Sequence, residues 1–237
     1  MPVRPAVVIV AAVASLSLVA PPASGAARTF RGHWPLNERK APAVAHDTSG
    51  HRHNGTNFHI RGDGDGYTFN GKNSRVVVPN AGILNPKAAD FSFGAKLKMT
   101  APPMPLGATY DILRKGLVTT AGGDYKFEVK NVGGVARARC VVRSIRADNT
   151  KVLISVMAIK DLADGQFHVV NCIKTAASIS VQVDNGPLRS NAPADGLGLG
   201  AVSNTSSLAL GAKGESTAST GFDWFKGVIS NSWVASP

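Results

Sequence analysis

Glycine and proline punctuate this chain at short intervals, 25 and 14 of them in 237 residues, and between the breaks apolar residues recur at every second position. That combination constrains the fold more than any other feature. Phe91-Ser92-Phe93-Gly94-Ala95-Lys96-Leu97-Lys98 alternates apolar with polar or small residues, and so do Tyr125-Lys126-Phe127-Glu128-Val129-Lys130 and Ser178-Ile179-Ser180-Val181-Gln182-Val183. A period of two sends successive side chains to opposite faces of a strand, one buried and one wet. No window sustains the i, i+3, i+4, i+7 apolar stripe of a helix. Asp184-Asn185-Gly186 follows the third strand and carries a hairpin signal, because both central residues of a type I′ turn need positive φ. Further strands are expected at 75–78, 110–114, 136–145, 152–157, 167–174, 207–210 and 225–229. Many short strands with little helix predict an all-β chain, a two-sheet antiparallel jelly-roll sandwich. The length suits one such sandwich, and no internal repeat or charge block marks a second domain.

The first residues stand apart from this pattern. Arg4 is the only charge before an apolar run at 6–20, and Pro21, Pro22 and the small residues Ala23-Ser24-Gly25-Ala26-Ala27 follow it. This is the order of a secretory signal, and the run is short of the ~20 residues a membrane-spanning helix needs. The expectation is a signal peptide at 1–26, cleaved near Ala26 or Ala27, with one sandwich domain at 27–237; retention as an amino-terminal anchor is the alternative. No later apolar run is long enough to span a membrane. The protein is therefore expected outside the cell.

Cys140 and Cys172, the only cysteines, fit that compartment. An isolated pair in an oxidising environment reads as a disulfide, since redox and metal sites use closer spacing; two buried free thiols are the alternative. Lys and Arg number 26 against 15 Asp and Glu, a formal net charge of +11. Removing the signal takes away only Arg4, so the excess belongs to the domain and invites an anionic partner.

Several motifs follow one another along the chain: Trp34-Pro35-Leu36-Asn37-Glu38, Asp47-Thr48-Ser49-Gly50, Gly66-Tyr67-Thr68-Phe69-Asn70-Gly71, Ser74-Arg75-Val76-Val77-Val78-Pro79, Asp164-Gly165-Gln166-Phe167-His168-Val169 and Phe225-Lys226-Gly227-Val228-Ile229. In this order the chain resembles the laminin-G-like domains of the concanavalin A-like lectin/glucanase superfamily, in their short secreted bacterial form. The resemblance implies a two-sheet jelly roll, often a glycan-binding or adhesive module and in some relatives a glycoside hydrolase. It also implies, from the Asp-x-Ser-Gly turn, a structural calcium with Asp47 as a ligand; the later Ile-Asp of that pattern is absent, because Ile229 is followed by Ser230. No other cofactor is expected.

Site residues must choose among these functions. The hydrolases carry Glu-x-Asp-x-x-Glu on one strand so that alternate carboxylates share a cleft. The three glutamates here, Glu38, Glu128 and Glu215, show no such spacing, and Glu128 between Lys126 and Lys130 reads as part of a solvated strand face. No nucleophile elbow, zinc-protease helix, phosphate loop or Cys-x-x-Cys occurs. A hydrolase would need carboxylates distant in sequence to converge. His51-Arg52-His53 on a strand would align two imidazoles with Asp47 for a transition metal, although Arg52 opposes a cation.

The main surface signal is cationic. Alternation over 136–146 puts Arg137, Arg139 and Arg143 on one strand face and Ala138, Cys140 and Val142 on the other. Guanidiniums at alternate positions of one strand face, here two and four residues apart, could form a ladder for carboxylate, sulfate or phosphate groups, extended by Lys126 and Lys130 if the strands are neighbours. Aromatics are not interleaved with these cations, which argues against nucleic acid; Trp34 and Trp233 are expected in the core. The resulting expectation is an exported, noncatalytic recognition module for a glycan or an anionic polysaccharide of the cell envelope. A structural or protein-interaction domain without a sugar site is the competing class.

Overall fold

The computed structural model describes residues 28–214 and 223–236. The expected signal at 1–26 and Glu215 lie outside these residues. In chain order the strands are β1 (Thr29–Trp34), β2 (Arg39–Lys40), β3 (Val44–Ala45), β4 (Gly55–Phe58), β5 (Arg61–Asp63), β6 (Tyr67–Asn70), β7 (Arg75–Val78), β8 (Phe91–Lys98) and β9 (Thr109–Lys115). Then come β10 (Asp124–Val132), β11 (Val135–Ile145), β12 (Lys151–Asp161), β13 (Phe167–Lys174), β14 (Ile179–Val183), β15 (Arg189–Asn191), β16 (Leu208–Leu210) and β17 (Lys226–Ser236). The only helical element among the described residues is a 3-10 turn at Gly82–Leu84.

The strands build two antiparallel sheets, the expected all-β sandwich. One runs β15-β14-β13-β8-β17-β6-β5-β2, with β1 also on β17; the other runs β12-β11-β10-β9-β16-β7-β4-β3. The alternation read from the sequence is what packs them: Phe91, Phe93, Tyr125, Phe127 and Val129 point inward and are fully buried. Phe91 and Phe93 each lie 5.0 Å from the Tyr125 ring, and the Tyr125 hydroxyl donates to the Leu84 carbonyl at 3.0 Å. Cys140 on β11 and Cys172 on β13 form a disulfide between the sheets, with Cα atoms 5.7 Å apart. No helix among the described residues is long and apolar enough to cross a membrane.

Three expectations need correction. Trp34 is in the core as expected, but Trp233 is buried away from it, on the outer side of β17, where it lies against Gly94 and under the Arg28 guanidinium at 5.3 Å. The turn after β14 takes its positive φ at Asp184 (52°) and not at Asn185 or Gly186, so it is not the type I′ turn that the dipeptide suggested. His51 and His53 sit in a loop, not on a strand.

Candidate anion-binding face

The outward side chains of β9, β10, β11 and β12 form one continuous face. Register sets Arg143 opposite Asp124, Arg139 opposite Glu128 and Arg137 opposite Lys130 across β10 and β11. On the other side of β10, Lys126 faces Arg114 and Glu128 faces Asp111. The three sequence-predicted arginines do share this face, and Lys126 and Lys130 do lie on the neighbouring strand.

The arginines are not equivalent. Arg143 holds Asp124 with two guanidinium nitrogens, Nη2 at 2.9 Å and Nε in closer contact. Arg139 donates to Glu128 Oε1 at 3.2 Å and to Ser155 Oγ at 3.1 Å. Arg114 bonds Asp111 at 2.9 Å and reaches Asp124 at 3.9 Å, while Lys126 contacts Glu128 and lies 3.6 Å from Asp111. Two of the three expected rungs are therefore spent on internal carboxylates. Glu128 is not solvated either: its side chain is 1% exposed, held between Lys126 and Arg139. Carboxylates distant in sequence have indeed converged here, Asp111 from β9 with Asp124 and Glu128 from β10, yet each is buried and tied to at least one cation.

Arg137 and Lys130 are the exception. They sit directly opposite one another, and among the described residues neither has a carboxylate within ion-pair distance. Asp161 faces Arg137 from β12, but its Oδ1 accepts the Ala136 and Ala163 backbone N–H groups. Arg137 Nε is buried and makes no hydrogen bond. Like charges opposed across a ladder repel, and a buried guanidinium N–H without an acceptor costs free energy. An anion placed between the two side chains would offset their repulsion. Asn131, next to Lys130, anchors the adjoining loop at 101–108 by donating from Nδ2 to the Pro103 carbonyl at 2.7 Å.

Asp47 has a different task. Its Oδ1 accepts the His33 and Ser49 N–H groups and its Oδ2 accepts Ser49 Oγ and the His53 N–H, all at 2.8–2.9 Å. Burial raises its pKa, but these donors outweigh burial and lower it overall. With four hydrogens aimed at its two oxygens, this carboxylate does not fit a calcium site. Among the described residues no three His, Cys, Asp or Glu side chains group as metal ligands.

Sequence reasoning missed two buried lysines. Lys115 ends β9 fully buried, and its ammonium donates to Asn80 Oδ1 at 2.8 Å, Ser206 O at 2.6 Å and Asn204 Oδ1 at 3.2 Å. Burial without a carboxylate pushes its pKa down to about 8. Lys174, at the end of β13, likewise donates to the Ala88 carbonyl at 2.9 Å.

No protein-family model matches the chain, and no curated protein matches it. Solved structures do. The binding domain of botulinum neurotoxin serotype G superposes with a TM-score of 0.59 at 11% identity, over 86% of this chain and 47% of that one. That of serotype D gives 0.56 at 12%, over 88% and 47%. Trypanosoma rangeli sialidase, as its 2,3-difluorosialic acid covalent intermediate, gives 0.57 at 16%, over 87% and 31%. This chain thus spans less than half the length of each. At such identities the likeness is one of fold alone, a two-sheet β-sandwich.

Proposed function

We propose that this protein is a secreted, noncatalytic recognition module of the laminin-G-like kind, and that it binds an acidic glycan or another anionic polysaccharide at the Lys130–Arg137 corner. One observation carries the reading: Arg114, Lys126, Arg139 and Arg143 on this face are paired with buried carboxylates, whereas Lys130 and Arg137 oppose each other across β10 and β11 with no carboxylate within ion-pair distance among the described residues. The similarity of the toxin binding domains to this fold is in keeping with a binding role. The disulfide and the amino-terminal signal pattern support export.

A hydrolase is the less favoured reading. Glycoside hydrolysis needs one carboxyl to protonate the leaving oxygen and another to reach the sugar, and Asp111, Asp124 and Glu128 are buried in ion pairs. A glycan array at two salt concentrations tests the proposal. Binding to sulfated or uronic-acid polymers that weakens with salt is expected; salt-insensitive binding to neutral sugars would contradict the site, and silence across the array would favour a structural or protein-interaction role.

A further inference from the structure

Between the edge of β12 and the hairpin of β14 and β15 the sandwich is open at its side. Two cavities lie there end to end. One, of about 340 Å³, is lined by Ala158, Ile159, Val183, Gly186 and Pro187 with Lys160 and Arg189 at its margin. The other, of about 370 Å³, is lined by Ser155, Met157, Ser190 and Asn191, and Arg189 belongs to both. The first is apolar and the second polar. Asn191 Nδ2 donates to the Ser155 carbonyl at 2.9 Å, tying β15 to the β12 edge within the polar half.

β12 is shaped for the apolar half. Between the pairs Arg139–Met157 and Arg137–Asp161 it uses two more residues than β11, and this bulge contains Ala158, Ile159 and Lys160. Bulges re-aim side chains at strand edges; here Ile159 is left 62% exposed beside the cavity. The charges around it are unequal. Lys160 is paired with Asp184 at 3.0 Å, and Asp184 is also held by His168. Arg189 is exposed and has no ion-pair partner among the described residues. An apolar cavity of a few hundred Å³ with one free guanidinium where it meets a polar one has the make-up of a small-molecule site.

We propose that this side opening is a second binding site, for an amphiphilic anion whose ring or short alkyl chain rests on Ala158, Ile159, Val183 and Pro187 while its carboxylate, sulfate or phosphate takes Arg189. It lies on the β12 edge, where the bulge ends at Asp161 opposite Arg137, and its lining includes neither Lys130 nor Arg137. The probe is anilinonaphthalene sulfonate, which joins an apolar ring system to an anion, titrated by fluorescence into the purified chain. One molecule is expected to bind. Arg189→Ser should weaken it about tenfold, the scale of one charge-assisted hydrogen bond. Ile159→Ser, at an exposed position, should weaken it about threefold through lost apolar contact, with an unchanged melting temperature. Decanoate should displace the probe and decanol should not. Equal affinity in both variants, equal displacement by decanol, or no binding would overturn the proposal. Replacing Arg137 should leave the probe's affinity unchanged, so the two sites can fail separately.

Discussion

Arg143 and Arg137 lie on one strand face, yet their removal should have different consequences. Arg143→Ala leaves Asp124 buried with only Arg114 at 3.9 Å, and stranding a buried charge costs about 3 kcal/mol. Urea unfolding should show that loss, whereas Arg137→Ser should leave stability unchanged or raise it. Lys115 gives a pH signature. The unfolded lysine titrates near 10.4 and the folded one near 8, so the unfolded chain binds more protons between those values. Stability contributed through this group therefore rises with pH across that window. Comparing unfolding midpoints at pH 8 and pH 10, the wild type should gain relative to Lys115→Met; equal slopes would contradict the burial argument. Alternation in the sequence located the face of Arg137, Arg139, Arg143 and Glu128. It could not reveal that Asp124 and Glu128 answer two of those arginines, because pairing across strands depends on register, which no local pattern prints. The same limit hid Lys115 and Lys174: a lysine at a strand end reads as solvated until the loops that bring carbonyls to it are in place.

At the scale of elements, the expected strands at 75–78, 91–98 and 167–174 coincide with β7, β8 and β13. β17 runs much further than its expected end at 229, because Asn231 adopts a φ of 53° and the strand shifts register between Ser230 and Trp233, moving from β6 to β1 as its partner. Polar Ser230-Asn231-Ser232 forms a bend within one strand. The cysteine pair was legible as a disulfide from its chemistry alone, and its position across the two sheets comes from the fold. Replacing Cys140 and Cys172 together by Ser should lower stability by roughly 3 kcal/mol, on the chain-entropy model for a loop of this size, read as a drop in melting temperature. The turn built on Asp47 leads to another expectation. Because its oxygens are already filled by protein donors, a chelator should leave the melting temperature unchanged, and a large drop would restore calcium to that turn.

For the whole molecule, the formal charge of +11 gave only a general attraction to anions, and folding determines where it can act. On the face of β9 to β12 four cations are neutralised from within, and Lys130 and Arg137 stand opposed without a carboxylate in ion-pair range. The alternating pattern made the sandwich legible from sequence, but its side opening, framed by a bulge and a hairpin far apart in the chain, was not. The measurement that bears most directly on the account is calorimetric titration of a sulfated polysaccharide into the wild type and into a Lys130→Ser, Arg137→Ser double variant, at low and high salt. Salt-sensitive binding by the wild type, weakened at least about tenfold in the variant with an unchanged melting temperature, is the predicted result. Equal binding by both proteins would contradict it.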